Sequence, residues 1–210
     1  PFAWELHKMV DKKNTTALQA ISILTTTQMV ADLLTMVVSL PSIVSGMYKG
    51  GKFIFNGIRN GIAYTNAVLD ATGTVRMGKT TYQSMKAFIE VSTQELDFLA
   101  YMNRMGKEVT VLDRVIEDGV KTADFLIDGI VWELKTIESI TSTKHIKAVR
   151  DIIIKAGKQS PNVIIDIRAS TYTIPDAIEA TNKALKLSKT VKQVRIIGNG
   201  GFDKIIKAVE

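Results

Sequence analysis

The chain has 210 residues, 46% of them hydrophobic and 23% charged, the balance of an ordinary folded protein rather than of a disordered or collagen-like one. It has no cysteine and only two histidines, His7 and His145, which excludes a disulfide scaffold, a thiolate zinc site and a histidine-rich metal cage. A net charge of +6 favours an anionic partner such as nucleic acid or a membrane surface, and the length suffices for one large domain or two small ones.

The sequence begins at Pro1 without a basic-then-apolar leader, so it reads as a piece cut from a longer protein or as a processed product. Its charges divide it in two. Residues 1–90 hold 9 Lys and Arg and 5 Asp and Glu, whereas residues 91–210 hold 18 and 16. Between Asn14 and Tyr48 the one charged residue is Asp32. This stretch predicts apolar helices over about Ala17–Val38 and Ser42–Tyr48, broken near Pro41. They read as a buried helix pair; a membrane-active hairpin is the alternative, with contact through residues 14–48. The next stretch, 49–90, is rich in glycine and basic residues. Gly73-Thr-Val-Arg-Met-Gly-Lys-Thr80 has the outline of a phosphate loop, but no apolar strand precedes it, so the stretch reads as a loop between helices. The first half is therefore expected to be helical, residues 1–90, and the second domain to span 91–210.

The second half alternates. Ser92 caps a helix, with Glu95 three residues on completing a capping box, and the helix stops at Gly106. Glu108–Leu112 is a strand candidate. Ala123–Ile127 and Ile130–Thr136 are strands joined by Asp128-Gly129, a strong hairpin signal. A helix over about Thr143–Ala156, a strand over Val163–Arg168, a helix over Ile174–Leu187 and a strand over Val191–Ile197 follow. Phe202–Val209 reads as a short helix or an edge strand. The order is α-β-β-β-α-β-α-β, a mixed α/β sheet flanked by helices.

A two-residue turn at Asp128-Gly129 fixes the register of its hairpin. Ile127 faces Ile130, Leu126 faces Val131, Phe125 faces Trp132 and Asp124 faces Glu133. Phe125, Ile127, Ile130, Trp132 and Leu134 then form one apolar face. Asp124, Glu133 and Lys135 gather on the other. Two carboxylates directly opposite have Cβ atoms about 4.5–5.5 Å apart, an unfavourable placement that needs compensation. A divalent cation (magnesium or zinc) held by Asp124 and Glu133, a pairing with Lys135, or a raised carboxylate pKa would each supply it. These residue types are also those of metal-dependent phosphodiester cleavage: carboxylates hold the cation, and a lysine orients water or stabilises phosphate charge. Glu95 offers a further carboxylate.

Asp124-x₈-Glu133-x-Lys135 behind a helix bearing Glu95 resembles the PD-(D/E)xK nuclease superfamily, with Ala123 where the signature has proline. The segments Lys121–Thr136 and Lys155–Arg168 are similar to the C-terminal toxin domains of contact-dependent growth inhibition (CdiA-type) and related polymorphic toxins, over roughly residues 90–210. The resemblance implies an antibacterial nuclease delivered from the cell surface into the cytoplasm of a target bacterium. Its substrate would be RNA, foremost tRNA, and a dedicated immunity protein would neutralise it. It also implies that the region ahead of the nuclease assists passage into the target cell. Some tails of this kind adopt the barnase/EndoU/colicin/RelE-type fold and cut RNA without metal. In that case Lys135, His145, Arg168 and the run Ser170-Thr-Tyr-Thr173 carry the chemistry. The residues also leave room for a DNase, or for a protein that permeabilises membranes.

Further residues fit the substrate. His145 is a general-base candidate at the start of its helix. Lys144, Lys147 and Arg168 are candidate phosphate contacts, and Gln159 a candidate contact ahead of the Val163–Arg168 strand. Asp166, inside an apolar strand, needs a partner, with Arg168 or Lys135 at hand.

Overall fold

The computed structural model describes residues 43–49, 52–59, 62–70, 72–114, 122–139 and 144–209. The chain divides into two compact units, Pro1–Ala71 and Thr72–Glu210. In the first, β1 (Ile43–Lys49), β2 (Lys52–Arg59) and β3 (Ile62–Leu69) form an antiparallel meander. This corrects the helical reading of the first half where the two can be compared. Ser42–Tyr48 was expected as helix, and Ile43–Lys49 is strand. Short apolar runs carry no period that separates the two, and Ile43, Val44, Tyr48 and the aromatic and β-branched residues of β2 favour the extended chain. The segment Ala17–Val38 lies outside the described residues.

The second unit opens with a hairpin, β4 (Val75–Met77) and β5 (Thr80–Tyr82). The stretch with the phosphate-loop outline is therefore strand–turn–strand rather than an inter-helical loop. This hairpin and α1 (Met85–Glu90) belong to the second unit, although residues 1–90 read from sequence as one region. Next come α2 (Thr93–Arg104), β6 (Val109–Val111), β7 (Phe125–Ile127), β8 (Ile130–Thr136), α3 (His145–Ala156), β9 (Asn162–Asp166), α4 (Ile174–Leu187), β10 (Gln193–Ile197) and β11 (Asp203–Lys207). The fold class is mixed α/β, as expected, and Phe202–Val209 resolves as an edge strand. The strands β4 to β11 follow one another in space. The pairs β5–β6, β8–β9 and β9–β10 are parallel and the others in this run antiparallel.

The hairpin register is as the sequence dictates: Phe125 pairs with Trp132, Leu126 with Val131 and Ile127 with Ile130. Asp128 (φ 51°) and Gly129 (φ 77°) both take left-handed backbone, the type I′ turn that matches the twist of the strands. Phe125, Ile127, Trp132 and Leu134 are buried, while Ile130 beside the turn is 39% exposed. Phe98 of α2 stacks at 5.1 Å between ring centroids on Phe125. On the opposite face α3 and α4 cover β9 and β10, and Val149, Ile153, Val163, Ile165, Ala177, Ala180, Val194 and Ile196 form the main core. Because Glu133 pairs with Val163 and Lys135 with Ile165 in parallel register, the acidic face of the hairpin runs into the face that α3 and α4 cover.

Among the described residues no helix is long and apolar enough to cross a membrane.

Candidate active site

Glu133 is 1% exposed at the heart of the cluster. It sits mid-strand on β8, where its parallel neighbour Val163 is fully buried. Lys135, two residues along the same face and one-third exposed, donates its ammonium proton to Glu133 Oε1. Glu133 Oε2 is buried without a hydrogen-bond partner. Asp124 precedes β7, its N–H donating to Trp132 O at 3.1 Å. The N–H of Leu134 donates to Asp124 Oδ2 at 2.9 Å.

Burial, and then the negative charge of Asp124, push Glu133 up to about 7, with Lys135 pulling back only in part. Burial raises Asp124 as well; the Leu134 N–H opposes this, and Glu95 reinforces it. Two acids in one dry place resist double ionisation. Of the compensations the sequence allowed, two are present together, the lysine pairing and a raised carboxylate pKa.

Glu95 enters the cluster from α2. The capping box is complete: Glu95 N–H donates to Ser92 Oγ at 3.3 Å, and Ser92 N–H to Glu95 Oε2 at 2.6 Å. The other oxygen, Oε1, accepts from Arg114 Nη2 at 2.6 Å. Both oxygens of Glu95 are thus occupied. Burial works against the charge of Arg114, but Glu95 outweighs it, and Asp124 adds to the attraction. Glu95, Arg114, Asp124 and Lys135 line one cavity of about 270 Å³, with Ser92, Gln94 and Glu138 at its rim. Arg114 is the member that sequence reading missed. No motif surrounds it, and its partner Glu95 is 19 residues away.

The other sequence candidates lie elsewhere. Arg168 is not available to a phosphate. Its guanidinium is 14% exposed, donates to both oxygens of Asp166 and to Asp97 Oδ2 at 2.7 Å, and lies 4.5 Å over the Tyr101 ring. The expected pairing of Asp166 with Arg168 is present. His145 stands at the start of α3 with Nε2 3.5 Å from Asp176 Oδ2 and its ring edge-on to Tyr172. The hydroxyl of Tyr172 donates to Asp176 O at 3.2 Å, and burial, then the nearby Asp176 charge, push it up to about 12. Lys144 and Lys147 are exposed near this histidine, and Gln159 is half-buried in the turn after α3. None of these five lines the acidic cavity.

As to a cation, no group of three or more His, Cys, Asp or Glu side chains among the described residues forms a cage. Two carboxylates with one buried, unpartnered oxygen fit a hard cation completed by water and phosphate oxygens, the manner in which magnesium is commonly held.

The second unit is therefore an α/β domain with an acid–acid–lysine cluster on a central hairpin. Residues 121–202 match the family described as the contact-dependent growth inhibition CdiA C-terminal domain. Among solved structures, a CdiA-CT/CdiI toxin and immunity complex from Burkholderia pseudomallei is similar at 17% identity, over 56% of this chain and 90% of that one, with a TM-score of 0.40. Among curated proteins, an ATP synthase subunit delta of Rickettsia typhi is 32% identical over 97 residues, 44% of this chain. The match spans about half (48%) of that relative's length.

Proposed function

We propose that the second unit is an antibacterial toxin domain, a nuclease that hydrolyses phosphodiester bonds in RNA, with tRNA the expected substrate, in the cytoplasm of a target bacterium. A cognate immunity protein blocks it. On the same reading the charge-poor stretch 14–48 serves passage into the target cell. The observation that carries the proposal is the buried Glu133, its Oε2 unpartnered, beside Asp124 and Lys135, which both line a 270 Å³ cavity.

Asp124 and Glu133 would hold a divalent cation, which supplies Lewis-acid polarisation of the phosphate and a more acidic water. The remaining work belongs to the side chains. Lys135, whose ammonium reaches Glu133 Oε1, orients the attacking water. Lys135 and Arg114, both lining the cavity, offer positive charge to the phosphate as it becomes more negative. The test is incubation of the protein and of Glu133→Gln with total RNA and with plasmid DNA, with and without EDTA. RNA cleavage that both EDTA and Glu133→Gln abolish is expected; full cleavage by Glu133→Gln overturns the proposal, and loss of plasmid with intact RNA makes the domain a DNase.

One observation favours a second reading. His145 lies 3.5 Å from the Asp176 carboxylate and edge-on to Tyr172 near the starts of α3 and α4, residue types that serve RNA cleavage without metal. Cleavage that survives EDTA and is lost in His145→Ala would select it.

A further inference from the structure

The acidic cavity accounts for the reacting phosphate and leaves a larger cavity, of about 440 Å³, without a role. It is lined by Arg76, Lys79, Thr81, Thr110, Leu126 and Asp128, among others. Strand register shows what it is. Arg76 pairs with Thr81, Thr81 with Thr110, Thr110 with Leu126 and Leu126 with Val131. These five form a single row across β4, β5, β6, β7 and β8, all on one face of the sheet. Asp124 is two residues before Leu126 and Glu133 two after Val131, so the acids occupy the adjacent row of the same face. One pleat repeat, about 7 Å, separates the rows, and the four strands β4–β7 carry the row about 14 Å sideways.

The chemistry of the row is that of a single nucleic-acid strand. Arg76 is exposed and makes no ion pair among the described residues. Thr81 and Thr110 are half-buried and present hydroxyls in the middle. Leu126 offers an apolar surface to a base, and Val131 beside it is 40% exposed. At the rim, Lys79 keeps donors beyond the one it gives to Gly106 O at 2.8 Å. The carboxylate of Asp128 is already neutralised by Lys107 at 3.0 Å, leaving Glu108 as the opposing charge. The cavity lining contains no aromatic side chain, so the strand is held through its backbone rather than by base stacking. Its volume lies in the range that takes a nucleotide-sized group.

We infer that this row is the track of the substrate strand: single-stranded RNA leaves the acidic cluster across β7, β6, β5 and β4, with its phosphates toward Arg76 and Lys79. The inference rests on the nuclease reading and names where the rest of the substrate lies.

The test is binding rather than turnover. Glu133→Gln protein is titrated with a fluorescent single-stranded RNA oligonucleotide at several salt concentrations, alone and combined with Arg76→Glu, Thr110→Val or Lys207→Glu. Lys207 is exposed on β11 and serves as the charge control. Arg76→Glu is expected to weaken binding by about tenfold and to reduce the salt slope by about one, with a smaller loss for Thr110→Val. Lys207→Glu should change neither. Binding unaltered by Arg76→Glu and Thr110→Val, or altered equally by Lys207→Glu, overturns the track. Weaker binding of a protein partner by Arg76→Glu, with RNA binding intact, also overturns it. Failure of the nuclease reading would show separately, as RNA cleavage by Glu133→Gln itself.

Discussion

Asp166 and Glu133 are carboxylates on neighbouring strands, 2% and 1% exposed, with opposite fates. Thr136, three residues past Glu133, pairs with Asp166, so the two acids point to opposite faces of the sheet. Asp166 is saturated: Oδ1 accepts from the Arg168 backbone at 3.1 Å and from its Nε at 2.9 Å, and Oδ2 from its Nη2 at 2.6 Å. Burial works against the Arg168 charge, yet Asp166 and then Asp97 outweigh it and raise its pKa further. A second pair, Arg195 with Asp203, closes the same face with two bonds at 2.8 and 2.6 Å. Glu133 has one partner, a second acid beside it and one unpartnered oxygen. A buried carboxylate that is fully bonded fixes structure; one left half-bonded stores free energy that a cation, a proton or a substrate can release.

The largest effect expected from breaking this contrast is on chemistry. Glu133→Gln should lower nuclease turnover by about 10²-fold or more, and Lys135→Ala by a similar order. Both proteins should remain folded by circular dichroism. Asp166→Ala should do the reverse. Removing one partner of a buried pair strands Arg168 in place, at a cost of about 3–5 kcal/mol. Urea denaturation would measure that loss. Activity per folded molecule should stay close to that of the parent, because Asp166 does not line the acidic cavity.

The pH dependence sharpens the comparison. Folding raises Glu133 from its ordinary 4.5 to about 7, so between these values the folded chain binds more protons than the unfolded one. Stability from this group is therefore fully present below about pH 4.5, falls as pH rises through about 7, and is level above that. The full span is of order 3 kcal/mol. Glu133→Gln removes the penalty and should be more stable than the parent at pH 8, the gap closing toward pH 5. A divalent cation should stabilise the parent in thermal shift more at pH 8 than at pH 6, and should not stabilise Glu133→Gln. A flat difference between pH 5 and pH 8 would mean that Glu133 is not strained.

Much of the acidic hairpin was legible because its determinants are local. Asp128-Gly129 fixes the turn, the turn fixes the register, and the register gathers Asp124, Glu133 and Lys135 within a dozen residues of one another. What escaped depends on contacts far apart in sequence. The depth of Glu133 comes from Val163 and the helices over β9, and the sequestration of Arg168 depends on Asp97, 71 residues away. Arg168 therefore read as a free cation for phosphate when it is a tie between α2 and β9. Ser42–Tyr48 read as helix because an uncharged apolar run has no period of its own; pairing with β2 decides it. The groove over β4–β7 required several registers at once, two of them between strands far apart in sequence, β5 with β6 across two helices and β6 with β7 across about a dozen residues.

The smallest expected effect concerns Glu95, which stands between the two kinds of carboxylate. Its Oε2 caps α2 through the Ser92 N–H, and its Oε1 holds Arg114 over the cavity. Ser92→Ala removes the hydroxyl that accepts from the Glu95 N–H and leaves both of those contacts in place. It should cost about 1 kcal/mol in stability, as a lost N-cap does, and change turnover by no more than about twofold to threefold, because the carboxylate stays where Arg114 needs it. Glu95→Gln keeps an oxygen for one contact but loses the charge that holds the guanidinium. It should cost a comparable stability and a larger share of turnover, about tenfold, read chiefly as weaker substrate binding. Equal losses of turnover in the two variants would mean that α2 positions the site as a whole, and that the Glu95–Arg114 pair has no separate part in it.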